Sequence, residues 1–290
     1  NLGANFADGA AEPYVVSVMP CTAKKDEAAR PGVAGDIDRV LTTRELARMI
    51  RARGIRFHAL PEDGVFDHPL GESTGAAQLF GASGGVMEAV VRTAAHLLGQ
   101  ESALPLEWQA MRGVESGIKT AHIPGLGQVA ICNGIAAAQR LLQTEAWRQE
   151  FVAIEVMSCV GGCLGGGGEP QSLNPQVLEK RMHAIYALDQ QAPRRRSYEN
   201  PDVQALYATE LGAPNSPQAH ALLHAALDAR RVGGQAGAVA LLVLARVGQH
   251  HRQPGGLGRA ELGGREAVVA LGGGLAAEDA VAPFDHVEID

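Results

Sequence analysis

Hydrophobic and polar positions follow two alternating patterns along the first three quarters of the chain. Short apolar runs rich in β-branched residues, typical of buried strands, occupy 14–19, 128–132 and 151–157. Apolar residues at the three- and four-residue spacing of amphipathic helices occupy 42–54, 84–99 and 133–143. Strands that alternate with helices predict an α/β fold whose parallel sheets are covered by helices.

Residues at the ends of the helical segments support these boundaries. Thr42 and Glu45 have the spacing of a capping box, and Gly54 stands where a left-handed C-cap is expected. The second helical segment carries one apolar face, which we expect to be buried, formed by Val86, Val90 or Val91, Ala94 and Leu97.

Cysteines follow two of the predicted strands. Cys21 comes after the first apolar run and Cys159 after the last, with Cys163 four residues further on. Folds of this class bind ligands at the carboxyl ends of strands. A single cysteine is usually a small buried hydrophobic residue, but two strand ends and a third thiol together favour chemistry.

The segment "EVMSCVGGCLGGGGEP" at 155–170 combines two thiols with a run of glycines. Thiolates suit zinc or an iron–sulfur cluster, and the Cys-x-x-x-Cys spacing does not choose between them. Glycines remove side chains, so backbone amides can approach a cluster closely. A simple turn is the alternative role of these glycines.

Two further segments carry candidate chemistry. In "VSVMPCTAKKDEA", Lys24 follows Cys21 closely and could neutralise an anionic ligand or lie in solvent at a helix start. In "LFGASGGVMEA", Phe80 and small residues precede a helix. The helix N-terminus could bind a negatively charged ligand, or this could be a tight loop–helix junction.

Composition narrows the function classes. The chain has 290 residues, a formal net charge of -7 and a pI near 5.8, with no cluster of Lys/Arg among aromatics, so nucleic acid is not expected as a partner. The apolar stretch at 236–245 is shorter than the ~20 residues of a membrane span, and the first residues do not resemble a signal peptide. Four cysteines do not form a disulfide framework and favour a reducing, cytoplasmic location.

The composition changes near residue 229. We expect one domain at 1–228 and a Gly/Ala/Arg-rich extension, loosely structured, at 229–290. Glycine-rich segments of the extension lack a P-loop lysine and a convincing dinucleotide-binding pattern.

Three segments in order, "MPCTAKKDEA", "GESTGAAQLFGASGGVMEAVVRTA" and "EVMSCVGGCLGGGGEP", resemble the catalytic domain of the iron-only (FeFe) hydrogenases. Residues 200–224 are similar to the end of that domain, so the resemblance covers about residues 14 to 225. It implies two lobes around a buried H-cluster, in which a 4Fe-4S cubane is joined through a cysteine sulfur to a two-iron unit with CO, CN and dithiolate ligands. It also implies reversible reduction of protons to dihydrogen, a ferredoxin or NAD(P)H-linked electron partner, and H-cluster maturation proteins.

The resemblance also implies roles for individual residues. Cys21, Cys159 and Cys163 match cubane ligands, and Cys163 matches the bridging one. Lys24 matches the lysine that hydrogen-bonds a cyanide ligand. The matched residues around the two-iron unit and cofactor are Met19, Met157, Phe80 and Gly81.

The chain departs from the family pattern in three places. Val160 replaces a common proline and Glu169 a common glutamine. The family motif Thr-Ser-Cys-Cys-Pro-x-Trp, which supplies the fourth cubane ligand and a proton-relay cysteine, should precede Cys21, and no cysteine does. We therefore expect a C-terminal part of the domain that is inactive alone, with Cys132 a buried thiol rather than a substitute ligand.

Two alternatives remain. One is a Nar-type iron–sulfur assembly factor without hydrogenase activity, although "SGGVMEA" and "CLGGGG" favour hydrogenase. The other is an α/β protein that uses its thiols for zinc or redox chemistry.

Overall fold

A computed structural model describes residues 14–31, 33–61, 64–67, 71–143, 146–214, 216–223 and 242–245. The α/β class predicted from the sequence is confirmed, because strands and helices alternate along the described chain. The strands form two separate sheets.

The first sheet has two parallel strands. Strand β1, Val16–Met19, pairs with β2, Arg39–Thr42, across the short helix α1, Lys24–Glu27. Helix α2, Thr43–Ala52, begins directly after β2. The predicted capping box is present, since the Glu45 amide donates to Thr42 Oγ1 and the Glu45 carboxylate accepts from the Thr42 amide. Gly54 has the expected left-handed conformation.

The second sheet has the strand order β3–β4–β5–β6. Strands β4, Gly127–Asn133, and β5, Ala153–Met157, are parallel and are connected through α5, Ile135–Leu142, and α6, Trp147–Glu150. Strands β3, Gly117–Ile123, and β6, Leu242–Ala245, pair antiparallel with β4 and β5.

This sheet is therefore mixed, whereas the sequence pattern predicted parallel pairing. The chain reverses between β3 and β4 in a tight turn, with Gly125 and Gly127 at positive φ, and a connection this short can join only antiparallel strands. Strand β6 falls within the predicted extension. The rest of that extension lies outside the described residues.

Helix α4, Gly85–Leu97, covers one face of the second sheet and α5 helps to form a second apolar cluster with it. The buried stripe of α4 is formed by Val86, Met87, Val91 and Ala95. The expectation that Leu97 belongs to this stripe is wrong. Leu97 is 72% exposed, because the helix is exposed from His96 onward and the buried stripe ends at Ala95.

The remaining helices lie before α4 and between β5 and β6. They are α3, Gly75–Leu79; α7, Gln176–Gln191; α8, Pro201–Leu206, which continues as a π-helical turn over Tyr207–Leu211; and α9, Pro217–Leu223. Short 3-10 turns are at Phe57–Ala59, Gln109–Met111, Gly162–Gly165 and Ser197–Glu199. Within the described ranges, no helix has the length and apolarity needed to span a membrane.

Candidate metal centre

The three cysteines of the sequence motifs lie together in the fold. Cys21 follows β1, Cys159 follows β5, and Cys163 lies in the 3-10 turn Gly162–Gly165. Burial raises the pKa of Cys159 and of Cys163, and the neighbouring Cys21 thiol raises both further. The cysteines thus meet between two different sheets, and not at one edge of a single parallel sheet.

The glycine run joins the two cysteine motifs through backbone contacts. The Gly168 amide donates to the Pro20 carbonyl at 2.9 Å. A Cβ at Gly166 would collide with that same carbonyl oxygen, and one at Gly168 would lie 2.7 Å from the Cys21 nitrogen. Close approach of two backbones therefore explains these glycines better than a simple turn does.

The third motif packs against the cysteine turn. The Leu164 amide donates to the Gly81 carbonyl at 3.1 Å, and a Cβ at Gly162 would lie 2.7 Å from the Ser83 nitrogen. Phe80 is half-buried and packs against the core cluster that contains Met157. All three motifs identified in the sequence therefore meet at one place.

The N-terminus of α4 already has an anionic partner within the chain. The Glu155 carboxylate accepts the amides of Gly84, at 2.6 Å, and Met87, at 2.8 Å. The sequence suggested an anionic ligand at this helix end, but these two donors are occupied by Glu155. Glu155 was not predicted as a site residue, and its only signal in the sequence is a single acid inside the apolar run "FVAIEVM".

Burial dominates the protonation of Glu155. The side chain is 0% exposed, and desolvation raises its pKa to about 7, although the two backbone hydrogen bonds act to lower it. The nearby Glu88 carboxylate raises the pKa further.

Lys24 lies beside the cysteines and is largely covered. Its side chain is 14% exposed, and its ammonium forms an ion pair with Glu27 Oε1 at 2.7 Å. Burial raises the pKa of Cys163 to about 11, with Cys21 and Cys159 adding to the shift and the Lys24 charge opposing it. The Glu27 partner was not foreseen from the sequence.

The other cysteines differ in their surroundings. Burial raises the pKa of Cys159, as does Cys21, while a hydrogen bond from the Gly167 amide lowers it. Cys132 is 0% exposed in the apolar cluster that includes α5 residues, and burial raises its pKa to about 11. This is the environment predicted for a buried thiol.

The remaining predicted residues lie around the cysteines in different degrees of burial. Met157 is buried in the core, and Met19 is half-buried at the end of β1. Asn133, which sequence analysis missed, is buried at the end of β4 and accepts the Gly161 amide at 2.7 Å. Its amide group also donates to the Val114 and Glu115 carbonyls, which ties the cysteine turn to the sheet.

The donor set fits an iron–sulfur cluster. Three soft thiols converge, glycine backbone surrounds them, and a lysine supplies positive charge near Cys163. Across the described ranges, no group of three or more His, Cys, Asp and Glu side chains has the arrangement of a metal-ion site. The thiolates of a cubane bind different iron atoms, so they lie farther apart than the ligands of one ion.

Family models match two parts of the chain. Residues 4–167 match "Iron only hydrogenase large subunit, C-terminal domain", and residues 175–227 match "Iron hydrogenase small subunit".

Individual proteins of known sequence or structure are also similar to this chain. The NADP-reducing hydrogenase subunit HndD of Solidesulfovibrio fructosivorans is 45% identical over 219 residues, covering 72% of this chain and 37% of that protein. Protein NAR1 of Arabidopsis thaliana is 31% identical over 235 residues, covering 73% of this chain and 49% of that protein. A variant of apo [FeFe]-hydrogenase HydA1 from Chlamydomonas reinhardtii superposes with a TM-score of 0.60 at 36% sequence identity. The match covers 74% of this chain and 62% of that chain. The chain thus spans less than half the length of both curated relatives.

Proposed function

Because this chain belongs to the iron-only hydrogenase large-subunit family, we propose that it is the cluster-binding part of an FeFe-hydrogenase catalytic domain. The complete site would interconvert protons and electrons with dihydrogen, using electrons from ferredoxin or an NAD(P)H-linked partner in the cytoplasm. The observation that carries this proposal is the meeting of Cys21, Cys159 and Cys163 within a glycine-lined cradle.

Each residue of the cradle has a role in this proposal. Cys21, Cys159 and Cys163 would hold the cubane, and Cys163 would also hold the two-iron unit, which H-cluster maturation proteins would deliver. When bound, the cofactor supplies the redox chemistry of proton reduction. Lys24 would donate a hydrogen bond to an anionic cofactor ligand, helped by its low exposure.

The apolar residues would exclude water from the same place. Met157 is buried in the core, with Phe80 packed against that core and Met19 half-buried on β1. The Gly81 carbonyl accepts the Leu164 amide and so helps to fix the cysteine turn. A dry site strengthens each electrostatic contact to a bound cofactor.

Loading the site would displace protons. Metal ligands must be thiolates, and burial together with neighbouring thiols raises the pKa of Cys159 and Cys163. The positive charge of iron, with Lys24 nearby, would compensate the three thiolates. We therefore expect Cys159 and Cys163 to be protonated in the metal-free chain at neutral pH.

The 290-residue chain alone is expected to be inactive. A cubane uses four cysteine ligands, and this site brings together three, with Cys132 in a separate apolar cluster. One iron would be exposed to solvent. Adding a segment with a Cys-Cys-Pro sequence before Asn1 is expected to supply a fourth ligand and to give activity.

Anaerobic reconstitution with iron and sulfide tests cluster binding. We expect ~4 iron and ~4 sulfide per chain, with loss of most of both in Cys163→Ala. The matched control is Cys132→Ala, which should keep the wild-type iron content because Cys132 lies away from the cradle. Zinc bound in place of iron, or equal losses in the two variants, would refute the proposed cluster.

A second function is favoured by the 31% identity to NAR1. A Nar-type assembly factor would use the same cysteines to hold a cluster without reducing protons. Dihydrogen evolution from reduced viologen separates the two, once the chain carries the added Cys-Cys-Pro segment and a synthetic two-iron cofactor. Stable cluster binding without any dihydrogen would favour the assembly factor.

A further inference from the structure

Helix α2 and its flanks form a basic segment in an acidic chain. Six arginines and a single glutamate lie between residues 39 and 56, although the whole chain has a formal charge of -7. Arg44, Arg48 and Arg51 are spaced by four and three residues, so they lie on one face of α2. Arg48 and Arg51 are exposed. We call these three residues the arginine face.

The arginine face is joined directly to the candidate metal centre. Arg44 Nη2 donates to the Gly167 carbonyl at 2.6 Å, and the Arg44 amide donates to the Gly168 carbonyl at 3.2 Å. The Gly167 amide in turn hydrogen-bonds the Cys159 thiol. A single exposed glycine therefore separates the arginine face from one of the proposed cluster ligands.

Neighbouring acids do not neutralise this face. Glu45 is held by Lys25, with 2.9 Å between Nζ and Oε2, and by the capping box. Glu169 accepts the Thr43 hydroxyl at 2.8 Å. Among the residues that the structure describes, no carboxylate forms an ion pair with Arg48 or Arg51, so their charges face solvent.

We propose that the arginine face is the surface where an acidic electron-carrier protein docks and passes electrons to the cluster. This inference rests on the proposed function, because it needs a cluster beside Cys159. In the step, the reduced carrier loses one electron and the cubane gains it, and no bond is made or broken. Positive charge at the docking point would steer an acidic partner and orient it toward Gly167.

The formal net charge of -7 on the whole chain favours a protein partner over nucleic acid. A complex between a protein and its electron carrier is transient, so a small charged patch is sufficient to form it. The arginines lie on a ten-residue helix whose first turn contacts the cysteine loop, which is where the electron would enter in this proposal.

Binding of a purified, acidic bacterial ferredoxin to the 290-residue chain tests the proposal. The dissociation constant is measured by calorimetry, with iron-free and iron-loaded chain, at ~20 mM and ~200 mM NaCl. Salt screening should weaken binding about tenfold. Arg51→Glu and Arg48→Glu should each weaken it about fivefold at low salt.

Lys180→Glu is the matched control, because it reverses one exposed cation that lies on a different helix, α7. It should leave the dissociation constant unchanged, and circular dichroism should show that all variants are folded. The proposal would be overturned if Lys180→Glu weakened binding equally, if the α2 variants had no effect, or if ferredoxin did not bind at all. It would also be overturned if an oligo-dT probe displaced ferredoxin at equal concentration. Failure of the wild-type chain to take up iron would refute the proposed function, while the iron-free binding data would still decide the docking surface.

Discussion

Glu155 is a buried carboxylate that connects two parts of the site. It lies on β5, the strand that leads to Cys159, and its oxygens accept two amides at the start of α4. The segment just before α4 contains Gly81, whose carbonyl contacts the cysteine turn. Glu155 therefore fixes the third motif relative to the cysteines, at the cost of burying an ionisable group.

Replacing Glu155 by Gln should change how stability depends on pH. Because the folded pKa of Glu155 is raised from 4.5 to about 7, its stabilising contribution is complete below pH 4.5 and is lost as pH rises through 7. Wild-type stability should therefore fall between pH 5 and pH 8 by up to about 3 kcal/mol from this group. Glu155→Gln, which does not titrate, should lack this component in urea unfolding.

Glu150→Gln is the control for this measurement, since Glu150 is an exposed acid at the end of α6. Its pH profile should follow the wild type. If Glu155→Gln kept the whole wild-type pH dependence, the carboxylate would not be the group responsible.

Individual residues differ in how far the sequence reveals them. The sequence motifs predicted that three cysteines share one site, and in the structure two of them act on the pKa of the third. These cysteines are Cys21, Cys159 and Cys163. Glu155 and Asn133 could not, because their partners are backbone amides and carbonyls of distant segments. Leu97 was misplaced because periodicity gives the face of a helix and not the point along the helix where its burial ends.

Among the elements, local signals were the reliable ones. The capping box at Thr42 and the positive φ of Gly54 depend on neighbouring residues, and both are present. The antiparallel pairing of β3 with β4 was missed, because the β3 segment was not recognised as a strand and the turn between them is short. The approach of the glycine run to Pro20 is also non-local and needed the structure.

Substitution in the glycine run should separate close backbone contact from loop flexibility. In Gly166→Ala, the new Cβ would collide with the Pro20 carbonyl oxygen, which is backbone and cannot move aside. We expect a loss of about 1–3 kcal/mol in unfolding free energy and reduced iron uptake, because the two cysteine motifs are forced apart.

Gly167→Ala, one residue further on, is the matched comparison. Its Cβ would lie 3.1 Å from Thr22 Oγ1, a side-chain atom that can rotate. It should retain most of the stability and iron uptake. Similar losses in both variants would point to a general need for flexibility and against the specific contact at Pro20.

On the scale of the whole molecule, a buried ion network joins the parts that match the two family models. Arg92 of α4, in the large-subunit match, contacts Asp189 of α7, in the small-subunit match, at 2.7 Å. Arg195 contacts the same carboxylate at 2.5 Å, and Glu88 binds Arg92. Burial acts to raise the pKa of Asp189, but these arginines hold it below its usual value.

Removing Asp189 should therefore destabilise both parts together. Asp189→Ala leaves the fully buried Arg92 guanidinium without its partner on α7, which should cost about 3–5 kcal/mol, measured by guanidinium chloride unfolding. The control is Glu72→Ala, which removes an exposed ion pair with Arg194 and should cost about 0–1 kcal/mol. Because α4 starts at the Glu155 contact and α7 is anchored to α4, the Asp189 variant should still unfold in one transition. Two separate transitions in the wild-type chain would instead mean that the two matched regions fold independently and that the ion network does not couple them.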